Sequence, residues 1–159
     1  MFKKILVPLD SSELAAKILP QVEDLAKLVR AQVILISVGS TRIGAATEAS
    51  PETLQAVEAQ IRLPVVKYLQ ETVAALTAKG LEATWVYEQG SPAREIIAYA
   101  QQHQVDLIAL ASHGTGEVAW VLGSVAEKVA SHATVPVLLL RVLEQPLPLH
   151  KSELAYFSM

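Results

Sequence analysis

The sequence predicts an α/β fold, a five-stranded parallel sheet with helices on both faces. Three observations predict it. Five short runs, at residues 5–9, 32–38, 81–87, 107–111 and 135–142, are apolar almost throughout, as strands buried on both faces are. Between the runs, apolar residues recur at three- and four-residue steps, the period of one helix face. Glycine and proline sit at the joints, as in Gly80 and Gly90-Ser91-Pro92.

Composition limits the function. A chain of 159 residues suits one domain, read as residues 1–142 with a tail over 143–159. Hydrophobic residues make up 52%, above the usual share, which allows a substantial core. The formal charge is −3 and no basic block occurs, which argues against nucleic acid and anionic membranes as main partners. Cysteine is absent, which excludes disulfides and thiolate metal sites, and the four histidines lack zinc-ligand spacing. The first residues do not read as a signal peptide, and no apolar run is long enough to span a membrane. The expectation is a soluble cytoplasmic protein without a metal site.

The elements follow in order. Residues 5–9 form a strand ending at Asp10. A helix is expected over 12–30, with Leu14, Ile18, Val22, Leu25 and Leu28 or Val29 on its stripe and Pro20 bending it. Asp10 has two readings: a helix cap, with Glu13 completing a capping box, or a ligand contact at the carboxyl end of the strand. After the strand at 32–38, residues 39–50 read as a mobile loop. Ser50-Pro51-Glu52 starts a long helix whose face carries Leu54, Val57, Ile61, Val65, Leu69, Val73 and Leu76. Pro64 kinks it and Gly80 ends it. A strand at 81–87 leads to Gly90-Ser91-Pro92 and a helix burying Ala93, Ile96, Ile97 and Ala100. Ser124 and Glu127 have capping-box spacing before a helix that turns Val125, Val129 and Ala133 inward. The last strand occupies 135–142.

Between the fourth strand and that last helix lie Gly114 and Gly116, then Gly123-Ser124. Glycines let a backbone approach a ligand closely, and a helix start offers N–H groups to an anion. The stretch reads either as a phosphate cradle or as tight turns that bind nothing.

The chain resembles the universal stress protein family over residues 1 to about 142. The resemblance rests on Ile5-Leu6-Val7-Pro8-Leu9-Asp10-Ser11-Ser12-Glu13, Gly90-Ser91-Pro92-Ala93, Asp106-Leu107-Ile108, Ser112-His113-Gly114, Gly123-Ser124-Val125-Ala126-Glu127-Lys128-Val129 and Val135-Pro136-Val137-Leu138. It implies an adenine-nucleotide α-hydrolase-like fold with strand order 3-2-1-4-5. That order puts a topological switch between the first and fourth strands, where open sheets bind ligands. Asp10 and the glycine loop both fall there.

The resemblance further implies a nucleotide, ATP or AMP with or without Mg2+. Its phosphates would meet Ser112, His113, Gly114, Thr115, Gly116, Gly123, Ser124 and Val125. Its nucleoside would meet Pro8, Leu9, Asp10 and the Val38 backbone. The family's nucleotide-binding branch carries Gly-x2-Gly-x9-Gly-Ser/Thr. Here Ala111 takes the first glycine position, and eight residues separate Gly114 from Gly123. Ser11 stands where the family often has glycine. Another branch lacks nucleotide binding.

No phosphate-binding Gly-x4-Gly-Lys-Ser/Thr motif occurs, and no nucleophile–base arrangement follows from spacing. No catalytic residue is expected. The leading reading is a nucleotide-binding switch protein; a ligand-free dimeric interaction module and a slow ATP hydrolase are the alternatives. The resemblance points to a homodimer through the fifth strand, with Val135, Val137, Leu139 and Arg141 at the contact. An apolar edge strand with one charge invites such pairing. Leu154, Tyr156 and Phe157 of the tail would cover the partner or fold back on their own edge.

Overall fold

The computed structural model describes residues 2–40, 51–112 and 122–142. The strands are β1 (Lys4–Pro8), β2 (Gln32–Gly39), β3 (Ala83–Gln89), β4 (Leu107–Ala111) and β5 (Val137–Leu140). All pairings are parallel, in the order β3-β2-β1-β4-β5, as expected. The helices are α1 (Glu13–Ala16), α2 (Leu19–Val29), α3 (Pro51–Ala78), α4 (Pro92–Gln102) and α5 (Ser124–His132).

Right-handed crossovers decide which face each helix covers. The chain steps one way from β1 to β3 and the other way from β3 to β5, so the helices divide between the faces. Ile5, Val7, Val33 and Leu35 pack with Ile18 and Val22 from α1–α2 and with Leu69 and Leu76 from α3. The alternate residues, Leu6, Ile34, Ile36 and Ile108, pack with Ala93, Ile96 and Ala100 of α4 and Ala126 and Val129 of α5. Leu69 is wholly buried, and truncating such a side chain to alanine costs about 2–5 kcal/mol.

The helix expected over 12–30 is two helices, separated at Lys17 and Ile18. Pro20 is the reason: it has no N–H for an i−4 bond and belongs in the first turn of a helix, where α2 places it. It therefore starts α2 and does not bend a longer helix. The apolar stripe runs through both pieces, except that Val29 packs on the core and Leu28 is 78% exposed. The expected strand at 81–87 starts two residues later. Gly80, at φ +84°, ends α3, and the Leu81 N–H returns to the Leu76 carbonyl at 3.2 Å. Leu81 is thus buried as part of the helix cap. Ile61, expected on the buried face of α3, is exposed. β5 is shorter than the apolar run suggested.

Asp106 ties the amino ends of the two central strands. Its Oδ2 accepts the Lys3 and Lys4 N–H groups at 2.8 and 2.9 Å, while its own N–H reaches the Lys4 carbonyl. Those two backbone donors hold its carboxyl below the usual aspartate value.

Candidate functional site

At the carboxyl ends of β1 and β4 the chain leaves toward opposite faces, and a cavity of about 260 Å³ opens there. β1 supplies Pro8 and the residues after it, Leu9 and Asp10; β2 supplies Ile36 and Val38; β4 supplies Leu110 and Ala111. α1 adds Ala15 and α4 adds Pro92 and Ile96. Gly123, Ser124, Val125 and Ala126 close the remaining side at the start of α5. The walls are largely apolar, with Asp10 and Ser124 as polar side chains, the composition usual for small-molecule sites.

The local sequence fixes Asp10. Ser12, not Asp10, caps α1: its hydroxyl accepts the Ala15 N–H at 3.0 Å. Asp10 Oδ1 in turn accepts the Ser12 N–H at 3.0 Å and the Ser12 hydroxyl. The capping reading of Asp10 with Glu13 is corrected, because the second serine takes that place. Between them Ser11 sits at φ +63°, the left-handed region that suits glycine.

The start of α5 is set by Gly123 and Ser112. The Gly123 N–H donates to the Ser112 carbonyl at 2.9 Å, and the Ser112 N–H extends the β4–β5 ladder to Leu140 at 2.8 Å. Ser112 is buried, and the ends of the glycine loop meet there. Gly123 is the N-cap residue, extended at φ −55° and ψ 144°, and the first intrahelical bond runs from Glu127 N–H to its carbonyl. The Ser124–Glu127 capping box is therefore corrected: Ser124 is the first helical residue, and no side chain caps α5. The N–H groups of residues 124–126 have no intrahelical acceptor and lie beside the cavity. Ala111, at the first glycine position of the family pattern, is the last residue of β4 and pairs with Leu140, so its backbone needs no glycine.

Seven sequence-predicted site residues, Pro8, Leu9, Asp10, Val38, Gly123, Ser124 and Val125, line the one cavity. Ser112 anchors the loop from beneath. His113, Gly114, Thr115 and Gly116 lie outside the described residues, as do most of the loop at 39–50 and the tail residues Leu154, Tyr156 and Phe157. The sequence reading missed Ala15, Ile36, Pro92, Ile96, Leu110 and Ala126. For Pro92 and Ile96 a signal existed: a right-handed crossover places α4 on the same face as α5.

The sequence profile of the universal stress protein family matches residues 1–141. The chain belongs to the universal stress protein family. Among its relatives, the universal stress protein YxiE of Bacillus subtilis is 32% identical over 148 residues, covering 89% of this chain and 100% of that protein. The solved structure of MJ0577 from Methanocaldococcus jannaschii superposes with a TM-score of 0.81 at 28% identity, covering 91% of this chain and 99% of that chain. A family protein of Arabidopsis thaliana, solved with AMP bound, shares the fold at a TM-score of 0.64 and 19% identity, over 92% of this chain and 97% of that one. Among the described residues, no helix is long and apolar enough to cross a membrane.

Proposed function

We propose that the chain binds an adenine nucleotide, ATP or AMP, in the β1–β4 cleft and works as a nucleotide-responsive binding protein. One observation carries the reading: Asp10 and the uncapped start of α5 line the same apolar cavity at the sheet's switch point. A carboxylate accepts ribose hydroxyls, and a helix start receives phosphate. Both Ser12 donors end on Asp10 Oδ1, and among the described residues no donor reaches Oδ2, which suits that oxygen to a ribose hydroxyl. The Val38 end of the cavity takes the base. Gly123, Ser124 and Val125 meet the phosphates together with residues 112–116, and Mg2+ would arrive with the phosphates. The AMP-bound Arabidopsis protein adds the support of a shared fold.

Mass spectrometry of gently purified protein should find the nucleotide. Asp10→Ala should weaken ATP and AMP alike, by roughly tenfold or more for a lost hydrogen bond to a charged group. Protein that carries no nucleotide and takes none up in titration refutes the proposal. The dimeric interaction module then stands in its place. β5 favours that module too: it lies at a sheet edge, and all four of its residues are half-buried. The proposed dimer pairs this edge with its own copy through Val135, Val137, Leu139 and Arg141. Light scattering on the full chain and on a chain ending at Val142 tests it; a monomeric full chain rules it out.

A further inference from the structure

The base end of the cleft is the end of a strand held from one side. The β1–β2 register stops at Pro8 and Ile36, with one further bond from the Leu9 N–H to the Ile36 carbonyl at 2.9 Å. Ser37, Val38 and Gly39 continue β2 in register with β3. Val38 lines the cavity, so this end of β2 is part of its wall. Side chains alternate along a strand. Val38 and Val86 pack on the α4–α5 side of the sheet, whereas Trp85 packs on the α3 side, and Tyr87 follows Trp85 to that side.

Two contacts show what Tyr87 meets there. Its phenol lies across Gly39: a Cβ on that glycine would overlap the hydroxyl oxygen and come within 2.8 Å of Cζ. The φ of Gly39 is not positive, so close approach of the ring, not backbone conformation, calls for glycine. The guanidinium of Arg62, from α3, sits over the same ring, with its Cζ 5.4 Å from the centroid, a cation–π distance. One turn earlier on α3, Glu58 accepts a hydrogen bond from the side chain of Gln89, the ladder partner of Gly39. The Gly90 N–H donates to the Gly39 carbonyl at 2.9 Å. Strand β3 and helix α3 thus converge on the residue that follows Val38.

We infer that Tyr87 is a positioning residue for the base end of the cleft: held by Arg62, its phenol braces Gly39 and keeps the Val38 backbone where the base lies. The ring bears on the face of β2 turned away from the cleft, so it sets the wall without touching the ligand. It also supplies a second support where β1 no longer pairs with β2. The inference rests on the nucleotide reading and names what holds one wall of that site.

Tyr87→Leu in the full chain tests it, with Tyr87→Phe beside it. Phenylalanine keeps a ring against Gly39 and under Arg62, so AMP affinity by calorimetry should stay near that of the unsubstituted chain. Leucine removes the brace, and AMP should bind roughly three- to tenfold more weakly, as for one weakened hydrogen bond. The preference for AMP over GMP should shrink with it, because the displaced wall is the one beside the base. Gly39→Ala, which pushes the ring aside without removing it, should weaken AMP binding likewise. A ring that serves packing alone gives a lower melting temperature with AMP affinity unchanged, and that result overturns the inference. So does weaker AMP binding with the preference intact, which places the effect away from the base. The contact itself is tested without nucleotide. Gly39→Ala should lower the melting temperature by roughly 2–10 °C when Tyr87 is present, as overpacking does. In Tyr87→Leu protein the same change should cost far less, because the space is vacated. Equal losses in the two backgrounds overturn the brace. An unsubstituted chain that takes up no AMP overturns the nucleotide reading and this inference with it. AMP binding that Tyr87→Leu leaves untouched overturns this inference alone.

Discussion

Replacing Ser11 with glycine should stabilise the protein. Ser11 holds φ at +63°, next to the residue that faces the cleft. A side chain in the left-handed region costs roughly 1–2 kcal/mol, because Cβ crowds the following carbonyl oxygen. Glycine removes that crowding but enlarges the unfolded ensemble, a loss of roughly 0.5–1 kcal/mol. Ser11 is exposed, and the hydrogen bonds of the turn run between Asp10 and Ser12, so little else changes. Taken at the middle of each range, the difference is a gain of about 0.75 kcal/mol. In a chain of this length that raises the melting temperature by about 1–4 °C. Thermal melts followed by circular dichroism, at one protein concentration, measure it. Ser11→Ala is the control: it keeps the Cβ and loses the hydroxyl, so it should melt with the unsubstituted chain. If Ser11→Gly melts lower than Ser11→Ala, the crowding term is smaller than the entropy term and the reasoning is wrong.

Two further outcomes follow from the site and from the sheet. Ser124→Ala should leave the melting temperature within a degree or so, because Ser124 caps nothing, while ATP affinity falls; a loss of about 1 kcal/mol in stability would restore the cap reading. Asp106→Ala should cost about 1–2 kcal/mol at neutral pH, for two backbone N–H groups left without their acceptor. The carboxyl is lowered in the folded state, so its contribution is complete above the unfolded value near pH 4. It disappears as pH falls through the folded value. Urea melts of the two proteins should therefore differ at pH 7 and converge in the acid range, and a gap that persists at the lowest measurable pH would exclude the carboxylate as its source.

The three inner strands were legible because burial on both faces leaves an unambiguous apolar run, as in Leu-Ile-Ala-Leu-Ala of β4, whereas the edge strands β3 and β5 are only half-buried. The strand order was not in the periodicity at all; it came with the family resemblance. Boundaries failed where an apolar residue serves two structures equally well. Leu81 fits a strand, yet it is the buried residue that follows a glycine helix stop. The break between α1 and α2 was hidden because Leu14, Ile18 and Val22 keep helical spacing across it. Ser-x-x-Glu at Ser124 matched a capping box in letters, but the buried Gly123 one residue earlier takes the extended cap position. Pro92 and Ile96 join the cavity only through the face on which α4 lands, a tertiary fact that no local pattern contains.

Asp10 shows where local sequence and site chemistry divide. The run Asp10-Ser11-Ser12-Glu13 offers several residues able to cap one short helix. Had Asp10 been the cap, its carboxylate would have faced the α1 N–H groups, already occupied when a ligand arrived. Ser12 takes that task and, through its own N–H and hydroxyl, also fixes one oxygen of Asp10. The other oxygen is left without a donor from the described residues. Ser11 then bridges two committed neighbours in a single residue, and it does so with φ positive. The strain at Ser11 and the open oxygen of Asp10 thus share one cause, a tight turn that separates the helix cap from the carboxylate facing the cavity.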